Sequence, residues 1–530
     1  MNSAEKSNDR KITVGAIAVI ALAFAASVAY RYRFLADENL VGIHQFLLSH
    51  STVIAENWHR SGFFGAHGLL YWYAKSMEYA TPLSQNVYPS FPAGGFVLPY
   101  FISWIFSIEI TPWLFQVYAL LNQFLIGVTI FVIARQLTAT MVSRPFERAV
   151  FCVLPAITVF FTSGYMWHFG STWFGEQAGV LPFILTVLGD VLAVRASETE
   201  NKVEYRRARL FSFAAVMFGT YCDPAFFIGI SIVRFVLKTA IRTEKQRGIW
   251  SILAECFVPF AIAVGLHFFQ VLSLFGVERL VALVRHAFEH ISPSDRPITL
   301  GMLFHEYAVQ HLYLAYGRFR YFLPLVIFLT LLSIAMRQQP RERRVALIML
   351  LGPPLLHVLV WRKHALVHNF NTVRFDPFVA IATFCIVPLY LYEILKKRTS
   401  LTRLAVFGTL FLVLNIWQWK VVYRSAFIAV VDTHKKPQLV ERAKLIGKNF
   451  GEKDLLMSPD FTIHAHNDIN LMVYSKRVVH MTESRSEMIA KIKQYPQARP
   501  VILSTQSRQI MGCNEVNKLS EDLYYCFPKL

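Results

Sequence analysis

The chain has 530 residues, 55% of them hydrophobic and only 16% charged, where a soluble domain carries roughly 25% charged residues. With a mean hydropathy of +0.40, this excludes an ordinary soluble globule and indicates an α-helical polytopic membrane protein. The net charge of +19 invites a nucleic-acid reading. However, the Lys and Arg residues lie mainly between apolar runs, and no RNA- or DNA-binding signature accompanies them, so no nucleic-acid partner is expected.

The first apolar run, at 12–30, holds nineteen residues without a charge. It is longer than a signal-peptide h-region, and Tyr30-Arg31-Tyr32-Arg33 is no small-residue cleavage site, so it reads as an anchor. Asp37 and Glu38 follow within ten residues of its end. A carboxylate pair beside a membrane face is costly to place without a task, although two solvated residues after a span would look the same.

Further helices are expected at 113–134, 148–165, 174–194, 209–222, 224–238, 250–274, 321–336, 344–361, 376–395 and 403–420, about eleven spans in all. The linkers after the even-numbered spans are short and basic, as is the N-terminal tail, so these face the cytoplasm. The loops at 31–112 and 275–320, and everything after 420, then face outward. Segment 95–109 is apolar enough to span, but counting it would invert the downstream topology, so it is expected to lie in the interface. Between the fifth and sixth runs, Tyr221-Cys222-Asp223-Pro224 is expected to form a sharp outward-side turn, with a single kinked helix as the alternative.

Loop 31–112 includes LVGIHQFLLSHSTVIAENWHRSGF, which suggests helices on the membrane surface, and the chain breakers Tyr88-Pro89 and Pro92-Ala93-Gly94-Gly95. Its His44, His50, His59 and His67 fit no standard metal spacing, so no metal is assigned and interfacial histidines are favoured. Loop 275–320 holds two stretches amphipathic at helical period. The loop at 362–375 is dense in Arg362, Lys363, His364, His368, Asn369, Asn371 and Arg374, a cluster suited to phosphate or to lipid headgroups. Glu176 and Asp223 sit at expected span ends, where a functional role and a structural hydrogen bond are both open.

The chain divides into a transmembrane domain, 1–420, and an extracytoplasmic α/β domain, 421–530. In the second, helices are expected at LVERAKLIGKNF and SEMIAKIKQY. Strands are expected at DLLMS, INLMVYS, KRVVHM and PVILST. No Gly-rich phosphate loop marks a nucleotide site there. Cys152, Cys222, Cys256 and Cys385 lie in apolar runs as packing residues, whereas Cys513 and Cys526 could pair if the tail faces an oxidising compartment.

Taken together, these features resemble the GT-C superfamily of membrane glycosyltransferases, especially the protein O-mannosyltransferase and bacterial aminoarabinose transferase branch. The Asp37-Glu38 pair matches that group's acidic residues after the first span. IAENWHRSG at 54–62 is similar to its surface helix, and Tyr88-Pro89-Ser90-Phe91-Pro92 to its Tyr-Pro-x-x-Pro element. The segment His168–Glu176 resembles an acid-bearing second loop. His364 to Phe370, with Arg374 and Pro377, resembles a later loop that contacts donor phosphate. The chain departs at Asn86-Val87-Tyr88, where aminoarabinose-type enzymes carry a Lys.

The resemblance implies an inverting transfer, outside the cytoplasm, from a polyprenyl-phosphate sugar to a lipid, glycan or protein. It implies Asp37 or Glu38 as general base, and His364, His368, Arg374, Tyr88 and Glu176 in donor and substrate contact. No cofactor and no nucleotide sugar are called for at the site. The implied place is a bacterial inner membrane, multi-pass, with a cytoplasmic N-terminus and a periplasmic C-terminal domain. A flippase or transporter of a lipid-linked glycan precursor, and a lipid-linked glycan polymerase or ligase, are the alternatives.

Overall fold

In the computed structural model the described residues are 3–35, 45–71, 91–169, 173–241, 248–289, 299–303, 340–362, 369–389, 437–451, 453–459, 475, 479–482, 484–505, 513, 515–521 and 523–528. Among these residues, the helices of the first unit are α1 (Ser3–Leu35), α2 (Gln45–Ser61), α3 (Gly94–Phe106), α4 (Pro112–Thr138), α5 (Pro145–Phe161), α6 (Ser163–His168), α7 (Gly175–Ala178), α8 (Val180–Glu198), α9 (Lys202–Cys222), α10 (Pro224–Ile241), α11 (Ile249–Glu289), α12 (Leu300–Leu303), α13 (Arg341–Val360) and α14 (Asp376–Ile381). A 3-10 turn, Asn369–Arg374, precedes α14, and a π-turn, Ala382–Ile386, continues it.

Local chemistry sets several of the boundaries. Thr111 accepts from the Leu114 amide at 3.4 Å, with Pro112 in the first turn of α4. Asn201 caps α9 through the Glu204 amide at 3.1 Å. Asp223 caps α10 by accepting from the Phe226 amide at 3.1 Å, and Pro224 opens that helix. The break at Tyr221-Pro224 is therefore a turn between two helices.

Among the described residues, five helices are long and apolar enough to cross a membrane: Asp9–Arg31, Pro112–Thr138, Gly175–Glu198, Ile249–Ala282 and Arg341–Val360. The chain is an integral membrane protein. Helices α5, α9 and α10 stand where three further spans are expected. The runs at 321–336 and 403–420 lie outside the described residues, and the expected total of eleven is not reached among those described. Two expected ends move. α1 runs on to Leu35 rather than stopping at 30. Helix α11 passes 274 and continues to Glu289 through a break at Gly276, whose φ of 73° and ψ of −176° belong to glycine. The stretch after Gly276 is thus a second helical segment, set off from the apolar one by a kink at that glycine. α3 has 13 residues, a length of about 20 Å against a hydrocarbon core of about 30 Å.

The main core packs Ile130, Phe160, Phe183, Val187, Ile230 and Phe378 from α4, α5, α8, α10 and α14. Close helix approach depends on small residues. A Cβ on Gly189 of α8 would stand 2.9 Å from the Ser212 Cβ of α9. Nearer the basic linkers, Asp190 takes two bonds from Arg234, at 2.8 and 2.9 Å, and one ion pair from Lys238 at 3.1 Å. Lys238 and Arg209 both pair with Glu255, at 2.6 and 3.0 Å. Buried acids and bases thus compensate one another across α8, α9, α10 and α11. A second cluster is built around Trp58, which donates to the Leu69 carbonyl at 2.7 Å and packs edge-on against Phe63, Phe96 and Tyr100.

Among the described residues, the C-terminal unit is a five-stranded sheet with two helices. Its elements are α15 (Pro437–Asn449), β1 (Asp454–Ser458), β2 (Val479–Met481), α16 (Arg485–Gln494), β3 (Arg499–Ser504), β4 (Asn517–Ser520) and β5 (Leu523–Cys526). The strand order is β2-β1-β3-β5-β4, with β1 parallel to β2 and β3 and with β3, β5 and β4 successively antiparallel. Alternate side chains explain the unbroken apolar run of β1. Leu456 packs with Val440, Ala443 and Ile446 of α15, while Leu455 and Met457 pack with Met488 and Ile492 of α16. Ser484 caps α16 through the Glu487 amide at 3.2 Å. Arg499 holds Asp454 through two bonds, at 2.6 and 3.0 Å, and this contact raises the pKa of the Arg499 guanidinium. Cys513 and Cys526 form a disulfide with a Cα separation of 6.1 Å. The hairpin β4–β5 was not expected, and the strand expected at INLMVYS falls outside the described residues except for Ser475.

Candidate functional site

The helix ends opposite the basic linkers gather buried ionisable groups. Arg31, Glu176, Asp223, His357, Arg374 and Asp376 are each no more than 3% exposed. They come from the end of α1, α7 before α8, the α9–α10 turn, the last turn of α13, the 3-10 turn and the start of α14. Charged groups at membrane depth are costly unless partnered, and the partners define the site.

Arg374 pairs with Asp223 and lies over the Phe226 ring, its Cζ 4.3 Å from the centroid. The two Asp223 oxygens divide the work: Oδ1 caps α10 and Oδ2 receives Arg374 Nη2. Arg374 Nε and Nη1 have no hydrogen-bond partner among the described residues. The His357 ring meets Phe226 edge-on at 5.8 Å. Asp376 accepts from the Thr162 hydroxyl at 2.8 Å, and a Cβ on Gly164 would come within 2.8 Å of its Oδ2. Glu176 lies three residues before Gly179, where an added Cβ would be 3.3 Å from the Asp223 Cβ. The backbone on either side of Glu176, at Gly175 and Gly179, thus lies against the same 222–223 turn that Arg374 pairs with.

Arg31 organises the neighbouring wall. Its Nη1 donates to the Phe169 carbonyl at 2.8 Å, with longer bonds to Tyr165 and Met166 at 3.3 and 3.4 Å. Nη2 donates to Gln123 Oε1 at 2.7 Å, and Nε to the Ser27 carbonyl at 3.2 Å. One side chain thereby joins α1, α4 and the turn that leads toward Glu176.

Of the residues expected at the site, Glu176 and Arg374 are buried in this group. Asp37, Glu38, Tyr88, His364 and His368 fall outside the residues whose side chains are described. Arg374 stands paired with an acid rather than as a free surface cation. Sequence reasoning missed Arg31, His357 and Asp376. Asp376 had a readable signal, an acid directly before Pro377 at the start of an expected span. Arg31 had none that separates it from Arg33. Among the described residues, no group of three or more His, Cys, Asp or Glu could hold a metal ion. In α2, burial pushes His50 down to about 3, while His67 Nδ1 lies 3.1 Å from the Ser273 hydroxyl.

No family profile matches the sequence, and no curated protein matches it. Solved structures do match. The fold is that of the GT-C membrane glycosyltransferases. The structure of ArnT from Cupriavidus metallidurans bound to undecaprenyl phosphate matches with a TM-score of 0.61 at 11% identity, covering 97% of this chain and 97% of that one. The apo oligosaccharyltransferase of Archaeoglobus fulgidus matches with a TM-score of 0.57 at 11% identity, covering 92% of this chain and 69% of that one. The same organism's AglB, in complex with an inhibitory peptide and a dolichol-phosphate, matches with a TM-score of 0.55 at 10% identity, with coverages of 92% and 69%.

Proposed function

We propose that the protein is a GT-C glycosyltransferase that moves a sugar from a polyprenyl-phosphate donor to an acceptor outside the cytoplasm, with inversion. The observation that carries this reading is Arg374. It is a buried guanidinium at the end opposite the basic linkers, with Nε and Nη1 unpartnered among the described residues. Unpartnered donors held in one rigid, charged plane suit the oxygens of an anion such as a phosphate. The fold supports it, since ArnT carries undecaprenyl phosphate and AglB a dolichol-phosphate in structures of the same architecture.

Asp37, with Glu38 as second choice, removes the proton from the acceptor nucleophile. The acceptor atom attacks the anomeric carbon, and the bond from that carbon to the phosphate oxygen breaks. The electron pair leaves with the lipid phosphate, whose growing charge meets Arg374, assisted by His364 and His368. Tyr88 and Glu176 hold substrate. The acceptor is a lipid, a glycan or a protein. The N-terminus and basic linkers lie in the cytoplasm of a bacterial inner membrane, and residues 421–530 lie outside it. The alternative is a flippase for a lipid-linked glycan precursor, or a polymerase or ligase of such precursors.

The test is mass spectrometry of envelope glycans and lipids from cells with wild-type protein, with none, and with Asp37→Asn. A hexose-sized or pentose-sized mass missing in both the null and the mutant supports the transferase. Loss in the null alone moves the base to Glu38 or elsewhere. Unchanged glycans, with accumulated lipid-linked precursor in the null, favour the flippase.

A further inference from the structure

We infer that Asp223 is a positioning and charge-setting residue for Arg374, and that it lets the site release its phosphomonoester product. The inference rests on the transferase reading. Two features of the geometry carry it. First, Asp223 is itself fixed: one oxygen caps α10 through the Phe226 amide at 3.1 Å, so the other presents a carboxylate at a set place to Arg374. Phe226, held in the first turn of the same helix, supports the face of the guanidinium at 4.3 Å. The plane of Arg374 is thereby determined on an edge and on a face, which leaves Nε and Nη1 as its unpartnered donors among the described residues.

Second, the pair is almost fully buried, with both side chains 1% exposed. An isolated guanidinium there would hold any anion tightly, because low-dielectric surroundings strengthen the attraction. Paired with Asp223, it presents directional hydrogen bonds while the pair carries no net charge.

The chemistry makes that distinction matter. A polyprenyl-phosphate sugar is a phosphodiester with one negative charge. When the bond to the anomeric carbon breaks, the phosphate keeps the electron pair and becomes a monoester, with a charge of about −1.5 to −2 at neutral pH. The acceptor's proton goes to the general base. A site with a full positive charge would therefore bind product more tightly than donor and would empty slowly. Neutralising Arg374 removes most of that bias while keeping the donors aimed at the phosphate.

The test uses the full chain in lipid nanodiscs, with undecaprenyl phosphate as the probe. Its dissociation constant and its inhibition of transfer are both measured. Asp223→Asn keeps a capping oxygen and loses the charge, as does Asp223→Ser. Both should tighten undecaprenyl phosphate binding by roughly tenfold, strengthen product inhibition and lower kcat, with thermal unfolding confirming an intact fold. Arg374→Gln should weaken binding, and the double variant with Asp223→Asn should follow Arg374→Gln alone. A merely structural role for Asp223 predicts the opposite sign, weaker binding. Unchanged or weaker binding in folded Asp223→Asn and Asp223→Ser overturns the inference, and so does wild-type affinity in Arg374→Gln. A wild-type protein that does not bind undecaprenyl phosphate overturns the transferase reading itself.

Discussion

Replacing Arg31 by leucine removes the side chain that ties the end of α1 to the 165–169 turn. Two of its bonds are short, to the Phe169 carbonyl at 2.8 Å and to Gln123 Oε1 at 2.7 Å. The bonds to Ser27, Tyr165 and Met166, at 3.2 to 3.4 Å, are weaker. In soluble proteins a bond from a charged donor contributes about 1.5–3 kcal/mol, whereas bonds between membrane helices average about 0.6 kcal/mol. Taking the two short bonds between those limits, and adding the cost of acceptors left bare, gives a loss of about 3 kcal/mol for Arg31→Leu. Arg31→Lys, a point charge that reaches one acceptor, should recover about half of it. The loss should appear as a lower unfolding temperature of the purified protein. Transfer should fall further than stability, because the turn that Arg31 holds leads to Glu176 and α1 leads to Asp37. Wild-type melting and wild-type transfer in Arg31→Leu would refute the account of this wall.

Three more outcomes are expected. Burial holds His50 neutral, with its pKa lowered from 6.5 to about 3. Folding stability is therefore intact above pH 6.5 and is lost as pH falls toward 3, by about 1.4 kcal/mol at pH 5.5. Between pH 7.5 and 5.5 the wild-type melting temperature should fall more than that of His50→Gln; equal falls would count against it. Removing the Cys513–Cys526 bond, which spans 13 positions, with Cys526→Ser should cost the C-terminal domain about 3 kcal/mol. That loss is measured as a shift in its thermal transition, and reductant should reproduce it in the wild type. A Cβ on Gly94 would stand 2.8 Å from the Cys222 amide nitrogen and closer still to the Tyr221 carbonyl. Gly94→Ala should therefore cost about 1–3 kcal/mol and disturb the Asp223 turn. Gly95→Ala, which first meets the Ala178 Cβ at 3.1 Å, should cost less in the same melting assay.

Interactions between near neighbours in the chain account for many of the elements. Apolar runs became helices because the backbone in lipid must satisfy itself within each segment. Thr111-Pro112, Asn201, Asp223-Pro224 and Ser484 mark helix starts through side chains that reach the amide three positions on. The DLLMS strand was legible because a short apolar run stands between Gly451 and Pro459. The β4–β5 hairpin was not, since NKLS has no apolar alternation and pairs only through register with β5, beside the edge of β3.

The candidate site was only partly legible. Glu176 could be named from its place at a span end and Arg374 from the dense cluster of the 362–375 loop, but nothing local says that Arg374 is neutralised by Asp223, 151 positions away. Arg31 and Arg33 look alike in the chain. Arg31 is buried because α4 and the 165–169 turn arrive beside it with acceptors. Local interactions fix which segments are helical. The environment of a charge depends instead on which distant groups the packing of the whole chain brings within hydrogen-bond reach.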